Sequence, residues 1–487
     1  MLSAQHVSEL FNTSASQSGS LAAIISKNKS ITFLELQKKV WQKAASLRKS
    51  GIVPGDRVLV FIPMSIELYT TVLAIFQVGA TAVFLDQWSD RQRLKMSCRI
   101  ADCRAITGSQ KLRFLRPFVS VLREIPIFIS GKMVHAEDVF TELLHPPDNT
   151  ALITFTTGST GVPKASVRTH HHLLEQFKAL GGILSHKSGT TDLPTLPIVL
   201  LINLGMGVTS VLPDWNPSKP QNLIPQNIFR QINNHKVQSI TASPFFIRQL
   251  ALSGGHPGIE RIVTGGAPVF PCEAQEIREK FQNARCTVVY GSTEAEPVSS
   301  ISFDELVDTV ATEGLCTGDI HKDTQLKIIP LHYPPGAYHN LPEHNQKEIG
   351  EIIVAGPHVL EHYFRNKDAE TQNKLHIEGK IWHRTGDSGF IKENKLWLTG
   401  RCSQLIEANG RLISPFVIEG RLQAKGITGT MLLAGGEPTL IVEGSEEKLK
   451  ERVPDMGFCV RYVDLIPRDK RHFSKIDYGR LGEMLKM

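Results

Sequence analysis

The chain has 487 residues, more than one compact core accommodates, so two or three domains are expected. Apolar residues make up 41% and charged residues 21%, and 54 basic against 48 acidic residues read as a mild +6 spread along the chain; these are the proportions of a globular enzyme and exclude a nucleic-acid arm, at most favouring anionic ligands. Seven cysteines, at 98, 103, 272, 286, 316, 402 and 459, are odd in number, scattered and never in a C-x-x-C pair, which excludes a disulfide framework and a zinc site and points to reduced thiols in a cytoplasmic protein.

The N-terminus has neither the basic segment nor the apolar run of a secretory signal. A short strand leads into a helix opening at Ile31-Thr32-Phe33, and Pro54-Gly55-Asp56 turns the chain into a strand over 57–62. A helix over 67–78 and a strand over 81–85 follow. The uncharged run 68–85 is long enough to raise the question of a membrane span, but Gly79 divides it into a helical and a β-like half, so it reads as a buried helix–strand pair. Residues 151–153 lead into a polar loop at 156–164, and a helical pattern follows from His171. The run 193–213 also lacks charge; Pro194, Pro197, Gly205 and Gly207 interrupt it, and it reads as an apolar pocket wall. Short strands at 239–241, 261–264 and 286–290 each run into a glycine or proline turn. Repeated strand–helix units imply an α/β fold, a largely parallel sheet with helices on its faces and ligands at the strand C-termini. From about 345 short antiparallel strands take over. A tail from 401 carries strands at 430–434 and 439–443 and a charged helix at 446–452, an α+β pattern.

The segment Thr156-Thr157-Gly158-Ser159-Thr160-Gly161-Val162-Pro163-Lys164 says most about function. Its glycines let the backbone curl until several N–H groups face one point, its hydroxyls add rotatable donors and its lysine adds charge, a combination suited to a polyphosphate. It is not the common phosphate loop, in which glycine, lysine and a hydroxyl residue are contiguous. Tyr290-Gly291-Ser292-Thr293-Glu294 ends a strand with an aromatic ring able to stack on a base, a glycine for close approach, two hydroxyls and a hard oxygen suited to Mg²⁺. Gly265-Gly266-Ala267-Pro268 is a second tight turn. Thr385-Gly386-Asp387 places a carboxylate where it could accept from two adjacent ribose hydroxyls, and Arg401 puts a guanidinium at the start of the tail. The run His170-His171-His172 does not make a metal site, because successive residues on a helix point about 100° apart.

In this order and spacing the motifs resemble the superfamily of adenylate-forming enzymes, which includes acyl-CoA synthetases, nonribosomal-peptide adenylation domains and luciferases. The resemblance covers nearly the whole chain: Ile31-Thr32-Phe33 through Gly55-Asp56, Gly79-Ala80 through Leu85-Asp86, Phe155 through Lys164, Tyr290 through Glu294, Thr385-Gly386-Asp387, Gly400-Arg401, and Pro467 through Ser474-Lys475-Ile476. A finer resemblance, carried by 204–214, 265–269, 290–298 and 381–387, is to bacterial β-lactone synthetases of long-chain olefin biosynthesis and to related fatty acyl-CoA ligases.

The resemblance implies a large N-terminal domain, 1–400, of parallel-rich sheets with flanking helices plus a β-barrel-like part. It also implies a small mobile α+β domain, 401–487, hinged near Ser403. The implied reaction takes ATP and a carboxylic acid to acyl-AMP and pyrophosphate. Thr157, Gly158, Ser159, Thr160, Gly161 and Lys164 would cradle phosphates, and Glu294 with Thr156 would hold Mg²⁺. Tyr290, beside Gly266 and Ala267, would stack on adenine, with Gly291, Ser292 and Thr293 close by; Asp387 and Arg401 would fix the ribose. Lys475 would be the catalytic lysine. Leu196, Ile198, Val199 and Leu200 lie in the region that contributes to the acyl site in relatives, and the absence of charge there argues for an aliphatic acid, since an amino acid would need a buried carboxylate for its ammonium. A fatty or 3-hydroxy fatty acid is the expected substrate, and no nucleic acid or transmembrane segment is expected.

Departures from the family pattern are Ala165 after the loop lysine, Ser403 and Glu407 in the hinge, a short tail, and Ser474 in place of the glycine before Lys475. A carboxylate at 407 reverses the charge many CoA ligases carry there. The acceptor of the activated acyl group therefore stays open among the substrate's own hydroxyl, CoA and an acyl-carrier protein, with pathway enzymes as further possible partners and a nucleotide-binding regulator without turnover as a remote alternative.

Overall fold

The computed structural model describes residues 4–27, 29–85, 91–129, 146, 148–156, 163–310, 313–335, 344–408, 410–469 and 474–485. They divide into two compact units, Met1–Asp214 with Arg230–Thr241 and Pro357–Thr371, and Trp215–Phe229 with Ala242–Gly356 and Gln372–Met487.

The first unit is α/β as expected. One sheet runs Ile127–Ile129, Ala105–Gly108, Arg57–Phe61, Thr81–Phe84, Thr150–Thr156, all parallel, and ends in Lys164–Thr169, antiparallel to its neighbour. Between strands Arg57–Phe61 and Thr81–Phe84 lies helix Ile66–Gln77, capped by Ser65 and buried from Leu68 to Gln77. Gly79, at φ +71, turns its end into the next strand. The uncharged run is thus a 12-residue core helix and a strand, and among the described residues no helix is long and apolar enough to cross a membrane. Helix Phe33–Lys49 starts where Thr32 accepts from the Glu35 N–H at 3.2 Å while Glu35 accepts from the Thr32 N–H at 2.9 Å, a reciprocal cap.

A second sheet of this unit places strand Thr191–Pro194 between Thr209–Leu212 and Ser239–Ala242, parallel to both. The interrupted apolar run is more regular than its prolines and glycines suggest. Pro197 occupies the first turn of helix Pro197–Met206, where its missing N–H is harmless, and Gly207 closes the helix at φ +69.

In the second unit Arg261–Gly265 and Arg285–Ser292 pair in parallel. Antiparallel strands continue from there: Ala295–Ser302, Leu315–Ile320, Lys395–Arg401, Lys380–Lys392, Gly350–Ala355 and Gln325–Ile329. This is the part expected to resemble a barrel, and that expectation is corrected: the strands continue as an open sheet, and among the described residues Gln325–Ile329 pairs only with Gly350–Ala355 and no barrel closes.

The expected tail forms its own layers within this unit. Hairpin Ile406–Ala408/Arg411–Ile413 precedes helix Pro415–Gln423 and an antiparallel pair, Gly429–Ala434 and Glu437–Glu443. A third strand, Cys459–Val463, absent from the sequence reading, joins parallel to the second. The charged helix is shorter than expected, Glu446–Leu449. Ile418, Leu422, Met431 and Leu440 form the tail's core, and Leu481 of helix Tyr478–Leu485 packs with Ile441 and Ile466.

Candidate active site

The hydroxyl- and glycine-rich loop joins two antiparallel strands. Register pairs Thr156 with Lys164 across its neck; Thr157, Gly158, Ser159, Thr160 and Gly161 lie outside the described residues. A strand, Lys164–Thr169, therefore stands between the loop and helix His170–Leu184, where the sequence reading had passed directly from loop to helix. Thr169 caps that helix by accepting from the His172 N–H at 3.1 Å. Ala165 is fully buried opposite Phe155, and its carbonyl accepts from the Phe364 N–H at 2.8 Å. The Lys164 ammonium lies 5.9 Å from the ring centroid of buried Tyr363, so its stem is steered by a cation–π contact.

Three residues expected at the nucleoside meet in the second unit. Tyr290 ends strand Arg285–Ser292, and its hydroxyl donates to Asp387 Oδ2 at 2.7 Å. Asp387 Oδ1 pairs with Arg401 Nε at 3.1 Å, directly across the pairing of Lys380–Lys392 with Lys395–Arg401. Arg401 Nη1 donates to the Thr385 carbonyl at 2.9 Å, and Thr385 Oγ1 accepts from the Asp387 N–H at 3.0 Å. Gly386 makes the bend between them at φ +69. Burial, with Asp387 alongside, drives the Tyr290 phenol well above its usual range, so it stays a neutral donor, and the Asp387 carboxylate holds the Arg401 guanidinium charged. Burial also pushes the neighbouring Cys402 thiol up to about 12, which keeps it neutral.

Gly265 pairs with Val289, so Gly266, at φ +84, and Ala267 leave their strand beside Tyr290. At Gly291 a side chain would approach the Ala295 carbonyl to 2.7 Å, so only glycine fits this close crossing. Ser292, Thr293 and Glu294 form the turn into strand Ala295–Ser302, and the Glu294 N–H donates to Ser292 Oγ at 3.3 Å. Glu294 is half-buried and acts electrostatically on Arg401. One such carboxylate suits Mg²⁺, which keeps several waters and draws its other ligands from substrate phosphates. No cluster of three or more His, Cys, Asp or Glu side chains that could hold a metal ion occurs among the described residues.

Lys475 is exposed at a bend of the tail. Sequence reading missed the residue that shapes this turn: Asp469 Oδ1 accepts from the N–H groups of Lys475, at 2.8 Å, and Ser474, at 3.1 Å, while the Asp469 N–H donates to the Lys475 carbonyl at 2.8 Å. A short carboxylate ahead of a turn was the available signal. Ser474 Oγ accepts from the Phe245 N–H at 3.3 Å, at the start of helix Pro244–Leu252. Behind the turn, buried Glu419 accepts from Tyr478 at 2.5 Å and from Thr430 at 2.7 Å. Ser403 and Glu407, in the segment expected to act as a hinge, are both exposed.

Of the expected pocket residues, Leu200 is fully buried and Val199 nearly so, while Leu196 and Ile198 are half-buried at the start of helix Pro197–Met206. Behind them lies a polar network with no sequence signature. Asn203 Nδ2 donates to Asp192 at 2.9 Å, Thr241 donates to Asp192 at 3.2 Å, and the His186 ring contacts Asn203 at 3.3 Å and Ser239 at 3.0 Å. Asp192, a buried carboxylate near the apolar wall, is thus already engaged.

A family model described as AMP-binding enzyme matches residues 11–364. The chain belongs to this family of adenylate-forming acid ligases. It is 30% identical to an olefin beta-lactone synthetase of Stenotrophomonas maltophilia, over 93% of this chain and 90% of the relative. It is also 30% identical to the protein of that name from Xanthomonas campestris, over 85% and 80%. Among solved structures, the O-succinylbenzoate coenzyme A synthetase of Bacillus subtilis, in complex with ATP and magnesium ion, has the same fold: TM-score 0.79 at 21% identity, covering 98% of this chain and 99% of that one.

Proposed function

We propose that this ligase activates a 3-hydroxy fatty acid and closes it to a β-lactone. The observation that supports the acid and the product is the 30% identity to olefin beta-lactone synthetases along nearly the whole chain. The uncharged wall around Leu196, Ile198, Val199 and Leu200, with Asp192 already bonded, suits an aliphatic chain and offers nothing to an ammonium group.

In the first step an oxygen of the substrate carboxylate bonds to the α-phosphorus of ATP and the bond to pyrophosphate breaks. In the second, the 3-hydroxyl oxygen bonds to the acyl carbon, the bond from that carbon to the AMP phosphate oxygen breaks, the hydroxyl proton passes to solvent and AMP departs. Both partners of the first step are anionic, so the residues act by neutralising and aligning charge, most strongly at the in-line transition state. The loop from Thr157 to Gly161 and Lys164 bind the outer phosphates. Tyr290 stacks on adenine, and Asp387, held by Tyr290 and Arg401, accepts from the ribose hydroxyls. Glu294, with Thr156, would hold Mg²⁺, which supplies charge neutralisation to the phosphates when bound. Lys475 bridges the α-phosphate and the attacking carboxylate, carried by a tail domain, 401–487, that turns near Ser403.

Glu407 favours the substrate's own hydroxyl over a thiol as acceptor, because it puts a carboxylate where rotation toward CoA is assisted by lysine in related ligases. The test is a panel of medium- and long-chain acids with and without a 3-hydroxyl, assayed for pyrophosphate and AMP with and without CoA. Lactone formation requires AMP release from the hydroxylated acids alone, with no thiol added. Turnover that needs CoA makes the protein a thioester-forming ligase instead.

A further inference from the structure

The expectation that the charge is spread along the chain is corrected by one concentrated segment. Residues 91–123 carry nine basic side chains and one acidic one, a net +8 against +6 for the whole chain. They form helix Arg91–Ala101, strand Ala105–Gly108, helix Gln110–Leu115, the short turn Arg116–Phe118 and the helical turn Ser120–Arg123. These elements share one core, to which Leu94, Cys98, Ile106, Leu112 and Leu122 contribute. The Arg116 guanidinium is used internally, donating to the carbonyls of Leu122, at 3.0 Å, and Ile125. Lys95, Arg99, Lys111, Arg113 and Arg123 are exposed.

Among these cations stand three large apolar side chains facing solvent, Phe114 at 74%, Leu115 at 58% and Phe118 at 85% exposure. Three such groups within five positions make a patch, and patches of this kind mark interaction surfaces. The charge decides the partner. Exposed aromatic and aliphatic side chains interleaved along the chain with exposed Lys and Arg complement an anionic bilayer, where rings and leucines enter the boundary between headgroups and acyl chains while cations meet lipid phosphates. A nucleic acid would match the cations and stack on the rings, but it would leave Leu115 without a partner.

We propose that this face docks the protein on an anionic lipid surface, with Phe114, Leu115 and Phe118 entering the interface. The docking is peripheral and needs no membrane-spanning helix. It is independent of the acid the enzyme activates, and its test does not involve turnover.

The full-length protein is sedimented with vesicles of phosphatidylcholine alone and of phosphatidylcholine with phosphatidylglycerol, at low and high salt. Binding is expected to the anionic vesicles and to weaken with salt. Lys111→Gln/Arg113→Gln should lower the partition coefficient about 30-fold, at roughly five-fold per charge. Phe114→Ser/Phe118→Ser should lower it at least ~10-fold through lost apolar insertion. Both variants should keep the wild-type melting transition and pyrophosphate-exchange rate, since neither touches the site. If either fails to fold, Leu115→Ser and Phe118→Ser are measured singly against the same expectation. Wild-type protein that stays in the supernatant with anionic vesicles overturns the proposal. So does binding that the phenylalanine variants leave unchanged, or binding to single-stranded RNA that outcompetes anionic vesicles at equal phosphate.

Discussion

Asp469→Ala isolates the geometry around Lys475, the proposed catalytic lysine, from its chemistry. The substitution removes a carboxylate oxygen that accepts from the Lys475 and Ser474 N–H groups at 2.8 and 3.1 Å. Hydrogen bonds to a charged acceptor contribute about 1.5–3 kcal/mol each when protected from water. This turn is partly open to solvent, so a total of about 1.5 kcal/mol is the reasonable expectation. That lowers the population of the formed turn, and with it the adenylation rate, about ten-fold. Lys475 itself is untouched, so the loss is smaller than the 10²–10³-fold typical of deleting a preorganised charged group. Pyrophosphate–ATP exchange gives the rate and its dependence on ATP. The fall should appear in kcat with KM for ATP nearly constant, and Asp469→Asn, which keeps one oxygen acceptor, should recover much of it. Wild-type exchange in Asp469→Ala, or a loss equal to that of Lys475→Ala with the Asn variant no better, would show that the carboxylate does not position the lysine.

Lys475→Ala should abolish most acyl-AMP formation while leaving the melting transition in place, because the side chain is exposed; full exchange activity refutes its role. Tyr290→Phe deletes the 2.7 Å bond to Asp387 and keeps the ring, so KM for ATP should rise about five-fold, in line with about 1 kcal/mol for one hydrogen bond, whereas Asp387→Ala should raise it far more; equal effects would separate the ribose role from this pair. Glu273, desolvated on helix Pro271–Lys280, has its carboxyl raised from the usual 4.5 to about 7. The folded protein therefore retains a proton that the unfolded chain has lost across that window, and stability from this group falls as pH rises from about 4.5 to about 7. Glu273→Gln should consequently stabilise the protein at pH 8, by on the order of 2 kcal/mol, and do little at pH 4.5; a gain independent of pH in thermal melts would show that titration is not its cause.

Local chemistry made much of the site readable. Gly291 stands where a side chain would strike the Ala295 carbonyl, and Gly386 where φ is +69, so the turns around Tyr290 and Asp387 announce themselves by residue type. The split of the uncharged run at Gly79 and the parallel order of the early strands followed from apolar periodicity and turn residues. The strand Lys164–Thr169 is short and mostly polar, and what fixes it is pairing across the loop with Thr150–Thr156, a tertiary contact. The barrel expectation failed for a related reason: strand patterns reveal which faces are buried, and closure depends on what the edge strand Gln325–Ile329 meets.

The amino-acid sequence by itself therefore determined the family and its adenylate-forming class of reaction, because those depend on residue types held at short spacing. Tertiary structure alone decided how the groups are oriented. Glu419 reaches Tyr478 across 59 positions, Ser474 meets Phe245 across 229, and Asp192 is occupied by Asn203 and Thr241 from neighbouring elements. Such contacts pair ordinary polar residues whose partners are remote along the chain, and only burial in one folded core makes their hydrogen bonds obligatory.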